Sequence, residues 1–368
     1  MKVLQMSKLY PPFWGGIETV VYDLSVKLKE EGVDVDVLCV SENDQSSEEV
    51  IDGIRIFRCA SLFHLSSVYF SMLFIKKWLE IRNDYDIIHV HLPNPLAILC
   101  LFFIRTNAKI IVHWHSDIVK QKFLKIPFIP LQSWLLKRCS QVIATSPKYA
   151  SYSKDLSKVQ DKISVIPIGI NEHALKVDNK VKSRIHETYK GKKIVFSLGR
   201  HIYYKGFDFL IESAKYIQDD TVILLGGVGD LSESFRNQII QSGLENKVYL
   251  LGKIPHDQLG SYYDACDVFC LPSVERSEAF GVVQIEAMSF GKPVISTNIE
   301  GSGVDWVNRN DVTGKIVPIK DAKALANAIN EVVSNHNFKP EHILDYFKEN
   351  FLRDKMARAT LDLYKEVM

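Results

Sequence analysis

A chain of 368 residues with 46% apolar and 24% charged side chains can bury more than one core, and its length favours two or three domains. A formal net charge of +1 gives no overall pull toward nucleic acid, so any partner signal has to come from local clusters. The six cysteines form no CxxC pair and no set with zinc-ligand spacing, which leaves a reduced, cytoplasmic compartment as the simplest reading.

The opening MKVLQMSKLYPP lacks the apolar centre of a signal peptide. Residues 3 to 7 read as a strand, followed by a Gly-Gly loop and a helix from about 18 to 31. Further strands are expected at 34 to 40, 54 to 59, 86 to 91, 109 to 115 and 141 to 146, with 162 to 170 closing the set. The apolar run LAILCLFFI, residues 96 to 104, is too short to cross a bilayer, which takes about 20 residues. A polar stretch follows residue 170, and the pattern restarts with strands at 192 to 200, 221 to 227, 247 to 252, 267 to 272 and 292 to 297. Strands alternating with helices imply parallel sheets and right-handed crossovers. The expected architecture is therefore α/β, with two Rossmann-like, doubly wound halves over residues 1–168 and 169–349 and a hinge near Pro167 to Ile170. Ligands of such sheets bind beyond the carboxyl ends of the strands, across a cleft if the halves face one another.

The strongest chemical signal is SEAFGVVQIEAMSFGKPVIST, residues 277 to 297. Glu278 and Glu286 are eight apart, and a helical pattern starts at Gly281. Gly281 lets a backbone approach a ligand, and the N–H groups of Phe280, Gly281, Val282 and Val283 open a helix that can take phosphate oxygens. One carboxylate can then reach a sugar hydroxyl and the other a ribose, with a diphosphate between them. In SLGRHIYYKGFD, Arg200 and Lys205 follow a strand, where fixed cations stabilise a departing nucleoside diphosphate. Gly15 and Gly16 in YPPFWGGIETVV precede a helix and again offer N–H groups to an anion. In VHWHSD, strand alternation puts His113 and His115 on one side, and His89 and His91 form a similar pair. His91 is expected to line the cleft. A zinc site built from these histidines is the less favoured reading beside hydrogen-bonded strand-end residues. Asp34 and Asp36 form a DxD, but they begin an alternating strand and are read as a solvated polar edge and not as a metal site.

The E-x7-E block, with its FG, EAM and GKPVI surroundings, resembles the signature of retaining glycosyltransferases of the GT-B fold, in particular family 4, and the other landmarks follow in order along the whole chain. The resemblance implies an N-terminal acceptor domain and a C-terminal nucleotide-sugar domain, with the last helix, about 350–368, packing back on the first. It implies that Glu278, Arg200, Lys205 and His115 are catalytic, with Asp117 beside His115. It also implies that Glu286 holds the ribose, that the backbone at Lys253 and Ile254 holds the base, and that Gly15 and Gly16 approach the donor phosphate and acceptor. Transfer proceeds with retention in that family. With no carboxylate placed as a nucleophile, front-face attack assisted by the leaving phosphate is the expected route. The expected donor is GDP-mannose or a UDP-hexose, with no cofactor and no essential metal. The expected acceptor is a glycan on polyprenyl diphosphate, in O-antigen or capsule synthesis. A nucleotide-sugar epimerase of the same architecture and a non-catalytic partner subunit are the alternatives.

Between Phe103 and Arg138 lie Arg105, Lys109, Lys120, Lys122, Lys125, Lys137 and Arg138, with Asp117 the only acid. Phe123, Leu124, Ile126, Phe128, Ile129, Trp134 and Leu135 interleave with them, and a second apolar stretch covers 62 to 79. Basic residues with aromatics suit the anionic inner face of a cytoplasmic membrane.

Overall fold

Runs rich in Val, Ile and Leu become parallel strands where helices cover both faces. That condition recurs through the computed structural model, which describes residues 1–65, 68–117, 128–335 and 337–368. The chain divides into two compact units, Met1–Ile170 with Leu352–Met368, and Asn171–Phe351.

The first unit contains β1 (Lys2–Met6), β2 (Asp34–Ser41), β3 (Ser47–Ile51), β4 (Ile54–Ala60), β5 (Phe63–Leu65), β6 (Val68–Phe70), β7 (Ile87–Leu92), β8 (Lys109–Trp114), β9 (Gln141–Ala144) and β10 (Ile163–Val165). Among the described residues its main sheet runs β10-β9-β8-β7-β1-β2-β4-β3. Every pairing is parallel except β3 with β4. Strand order reverses at β1, so the crevice between the carboxyl ends of β1 and β7 is a topological switch point. The helix Gly16–Glu30 buries Val20, Val21, Leu24 and Leu28, a one-sided stripe. The C-terminal helix Arg353–Val367 packs against it. Lys27 to Asp354 and Arg353 to Glu30, each at 3.2 Å, link the two helices at their surface. Such exposed pairs contribute about 0–1 kcal/mol each.

The second unit contains β11 (Lys193–Leu198), β12 (Thr221–Gly226), β13 (Val248–Gly252), β14 (Val268–Leu271), β15 (Val294–Asn298) and β16 (Gly314–Pro318). Its sheet runs β13-β12-β11-β14-β15-β16, entirely parallel, with the switch point between β11 and β14. Phe207, Leu210 and Ile211 of one helix and Leu325, Ile329 and Val333 of another close over Val195, Ile223 and Ile295 of the sheet. Full burial of such side chains contributes about 1.5–3 kcal/mol each.

Three readings of the sequence need correction. The expected strand at 162 to 170 stops at Val165, because Pro167 has no N–H to continue a ladder. β3 and β16 add margins to the expected set of strands. β3 is a charged edge strand (SEEVI) and β16 ends at Pro318, both devices that suit a sheet margin. The DxD is not a solvated edge. β2 lies inside the sheet between β1 and β4, and Asp36 is buried, accepting hydrogen bonds from Arg55 Nη2 and Tyr85 Oη at 2.7 Å each. Only Asp34 is exposed.

Candidate active site

In the second unit the loops after β11 and β14 meet at the switch point. Gly206 has φ +66°, and a Cβ there would collide with the Pro272 carbonyl oxygen, so only glycine lets the two loops touch. The Val274 N–H donates to the Tyr204 carbonyl at 2.8 Å, fixing that approach. The contact brings Lys205, at the end of a 3-10 turn, to Glu278, with Nζ to Oε2 at 2.5 Å. Both side chains are buried. The same carboxylate oxygen accepts from Ser273 Oγ at 3.0 Å.

Burial alone would lower the Lys205 pKa, but the Glu278 charge outweighs it and the ammonium is raised above its ordinary value. A buried ion pair costs desolvation that its attraction barely offsets, so stability does not explain its presence. A buried ion pair just past the carboxyl ends of strands is better explained by a ligand that needs it. Arg200 is exposed at the same loop and makes no ion pair among the described residues.

Gly281, at φ +74°, starts the helix Val282–Met288. A Cβ there would strike Leu271 Cδ2 and Gln284 Nε2, so the turn after Phe280 also requires glycine. Glu286 on that helix accepts from Tyr263 Oη at 2.6 Å. Burial raises the Glu286 pKa, while the Tyr263 hydrogen bond and the Lys205 charge pull it down. Lys205 therefore acts on both carboxylates of the E-x7-E pair. The Glu278 loop is braced from the β15 side: Thr297 Oγ1 donates to the Ser273 carbonyl, Ser302 Oγ to the Glu278 carbonyl, and the Gly303 N–H to the Ala279 carbonyl. Ser273, Tyr263, Thr297 and Ser302 escaped the sequence reading, since hydroxyls scattered over four segments carry no spacing signal. Lys253 is exposed just beyond β13, and Ile254 lies against Gly226 at the end of β12.

In the first unit the buried polar side chains on β1, β7 and β8 are an amide and imidazoles. Gln5 on β1, His89 and His91 on β7 and His113 on β8 are all buried, with His115 immediately past β8. Register pairs His91 with His113, whose rings stack at 5.2 Å between centroids, and along the chain His113 stacks with His115 at 4.2 Å and His89 with His91 at 4.6 Å. His91, expected at a cleft lining, is only 2% exposed. Its Nδ1 lies 2.9 Å from His115 Nε2 and its Nε2 2.8 Å from Gln5 Oε1. Burial holds His89, His91 and His115 well below the ordinary histidine value, helped by their neighbours, and takes His113 down to about 3. Nitrogens of His89, His91 and His113 lie within 4.8 Å of one another, a donor set suited to zinc in chemistry. Both His91 nitrogens are already engaged, so ligation would break those hydrogen bonds. Asp117 is committed locally: its Oδ1 accepts from Trp114 Nε1 at 2.9 Å and Ser153 Oγ at 2.8 Å. Gly15 caps the helix Gly16–Glu30, and Gly16 faces open space.

Of the basic and apolar cluster, Arg105, Lys109, Lys137 and Arg138 are exposed, as are Phe103, Ile129, Met72, Leu73 and Leu79. Trp134 is half-buried against Phe102, and Leu135 is fully buried. Lys120, Lys122, Phe123, Leu124, Lys125 and Ile126 lie outside the described residues. Among the described residues no helix is long and apolar enough to cross a membrane.

Two Rossmann-like parallel-sheet units of this order define a GT-B glycosyltransferase fold. The chain has a TM-score of 0.81 to Anabaena Alr3699/HepE, solved in complex with UDP and glucose, at 19% identity and with 100% of each chain covered. The family model Glycosyltransferase Family 4 matches residues 14–173, and the model Glycosyl transferases group 1 matches residues 178–350. The O-antigen chain mannosyltransferase C of Escherichia coli is 34% identical, covering 100% of this chain and 99% of that protein. The D-rhamnosyltransferase WbpZ of Pseudomonas aeruginosa is 29% identical, covering 89% of this chain and 86% of its own. The chain belongs to the family 4, group 1 glycosyltransferases.

Proposed function

We propose that this glycosyltransferase moves a hexosyl group from a nucleotide sugar to a glycan carried on polyprenyl diphosphate, with retention at the anomeric carbon, in assembly of a bacterial O-antigen or capsule. The observation that carries this reading is the buried Lys205–Glu278 pair at the β11/β14 switch point, with the Lys205 charge also pulling down the pKa of Glu286. Glu278 takes hydroxyls of the transferred sugar and Glu286 the ribose. Lys205 and Arg200 stabilise the charge that grows on the leaving diphosphate. Backbone groups at Lys253 and Ile254 hold the base. Backbone groups from Phe280 to Val283 and at Gly15 and Gly16 line the phosphates. His115 serves the reacting sugar. The bond from C1 to the phosphate oxygen breaks, and the acceptor hydroxyl oxygen bonds C1 on the same face. The acceptor's proton passes to the departing phosphate. Two fixed cations do the work a divalent metal does elsewhere, so EDTA should leave turnover unchanged.

The similarity to an O-antigen chain mannosyltransferase supports GDP-mannose as the donor, with a UDP-hexose second. The exposed apolar and basic residues of the first unit support docking on an anionic membrane at its cytoplasmic face, where a lipid-linked acceptor resides. Incubation with a panel of nucleotide sugars and a synthetic polyprenyl-linked acceptor tests the activity. Free nucleoside diphosphate with an extended acceptor of retained configuration supports the proposal. An epimerised sugar without acceptor would make the chain an epimerase, and no turnover a partner subunit. Failure to sediment with anionic liposomes at low salt would remove the membrane contact.

A further inference from the structure

The histidine row of the first unit has a direction, and that direction reaches His115. With the Gln5 amide placed so that its oxygen faces His91, its nitrogen, which can only donate, faces Tyr364 Oη at 3.4 Å. The Gln5 carbonyl oxygen can only accept, and it faces His91 Nε2 at 2.8 Å, so the His91 proton sits on Nε2. A neutral imidazole carries one proton, which leaves His91 Nδ1 as an acceptor. His115 Nε2 stands 2.9 Å away and must donate to it, because two lone pairs would otherwise oppose one another. His115 then keeps Nδ1 as its unprotonated atom. At the far end the Tyr364 hydroxyl, having accepted from Gln5, gives its own proton to His89 Nδ1. Every donor points the same way, from His115 through His91 and Gln5 to Tyr364 and His89.

The members come from distant parts of the chain. Gln5 is on β1, His91 on β7, and Tyr364 on the C-terminal helix, where it is fully buried. A buried polar row is costly unless its members satisfy one another, so the five groups joined by these four hydrogen bonds form a unit. The rings beside it, stacked on His113, leave little freedom to turn.

We propose that His91, oriented by Gln5 and anchored by Tyr364, is a positioning residue that fixes His115 as the Nε2–H tautomer and presents an unprotonated, hydrogen-bond-accepting Nδ1 to the sugar or acceptor hydroxyl. This rests on the reading of His115 as a catalytic residue. The hydroxyl donates to Nδ1, and no proton need leave the ring during transfer.

The test uses full-length protein labelled with ¹⁵N-histidine, with the His115 signals assigned through His115→Gln. The expected spectrum has the His115 proton on Nε2. Gln5→Met keeps volume but removes the carbonyl that sets direction, and it should yield mixed His115 tautomers. The same variant should lower kcat about 10- to 100-fold while the donor KM barely moves, as loss of an orienting partner does. Tyr364→Phe, nearly isosteric, should do the same more weakly and covers the case that Gln5→Met fails to fold. A wild-type proton on Nδ1, or a tautomer indifferent to both substitutions, would overturn the proposal. So would one equivalent of zinc in the purified protein that His113→Gln abolishes, since His91 would then be a metal ligand. Full activity in His115→Ala would sink the catalytic reading alone, because the tautomer is read independently of turnover.

Discussion

The two units carry polar groups to the same topological place in opposite electrical states. At the β11/β14 switch point the second unit buries a cation against a carboxylate, with another carboxylate nearby. At the β1/β7 switch point the first unit buries an amide, a phenol and a row of uncharged imidazoles. A charged ligand demands fixed charges and repays their desolvation when it binds. A sugar hydroxyl demands only direction, which neutral donors and acceptors supply at lower cost. The difference teaches that one fold, used twice, is specialised by what its switch point is asked to hold.

The comparison can be broken most directly at Glu278. Glu278→Ala should reduce kcat/KM by about 10³-fold or more, and it leaves the Lys205 ammonium buried without its partner, at a cost of about 3–5 kcal/mol. Initial rates and urea midpoints would show the two effects, and near-normal turnover in a folded variant would remove Glu278 from the donor site. Lys205→Met should lower kcat about 10²- to 10³-fold, and the double variant should be far less impaired than the product of the two single effects. Simple multiplication in that cycle would mean the pair does not act as one unit.

Acid should reveal the neutral character of the first unit. Its histidines have folded pKa values below the unfolded value of about 6.5, so the unfolded chain binds more protons as pH falls. The stability they support is complete above that value and is lost toward acid. His113, at about 3 in the fold, accounts for about 2 kcal/mol between about pH 7 and about pH 5. His113→Phe should flatten the pH dependence of the urea midpoint by that amount, and an unchanged slope would contradict neutral burial. The smallest effect is expected at Glu286. Glu286→Gln keeps an acceptor for the Tyr263 hydroxyl, so the donor KM should rise about 10-fold with kcat little altered. A larger fall in kcat than rise in KM would place Glu286 at the reacting sugar.

Much of this was legible in the residues. Alternating β and α runs gave the two parallel sheets, and E-x7-E with FG and GKPVI marked the loop and helix that hold Glu278 and Glu286. Lys205 was legible as a cation after a strand but not as Glu278's partner, because that pairing depends on Gly206 letting two loops touch. HVH and HWH announced same-sided histidines, yet nothing in those words separates a ring lining a cleft from one fully buried. Asp36 shows the same limit: alternation suggested a wet face, and the burial came from β4 and Tyr85 closing over it.

What the sequence determined by itself is therefore local: period, turn chemistry, and the types of group delivered to the strand ends. The tertiary structure decided the pairings, since Lys205 with Glu278, Tyr263 with Glu286 and Gln5 with His91 are 73, 23 and 86 residues apart. Such contacts exist only after the strand order is set, and strand order follows from packing whole helices on both faces of a sheet, which no short stretch of sequence encodes. The same reason explains Tyr364, which reads as one more apolar position of an amphipathic helix until that helix returns to the first unit and its hydroxyl meets His89.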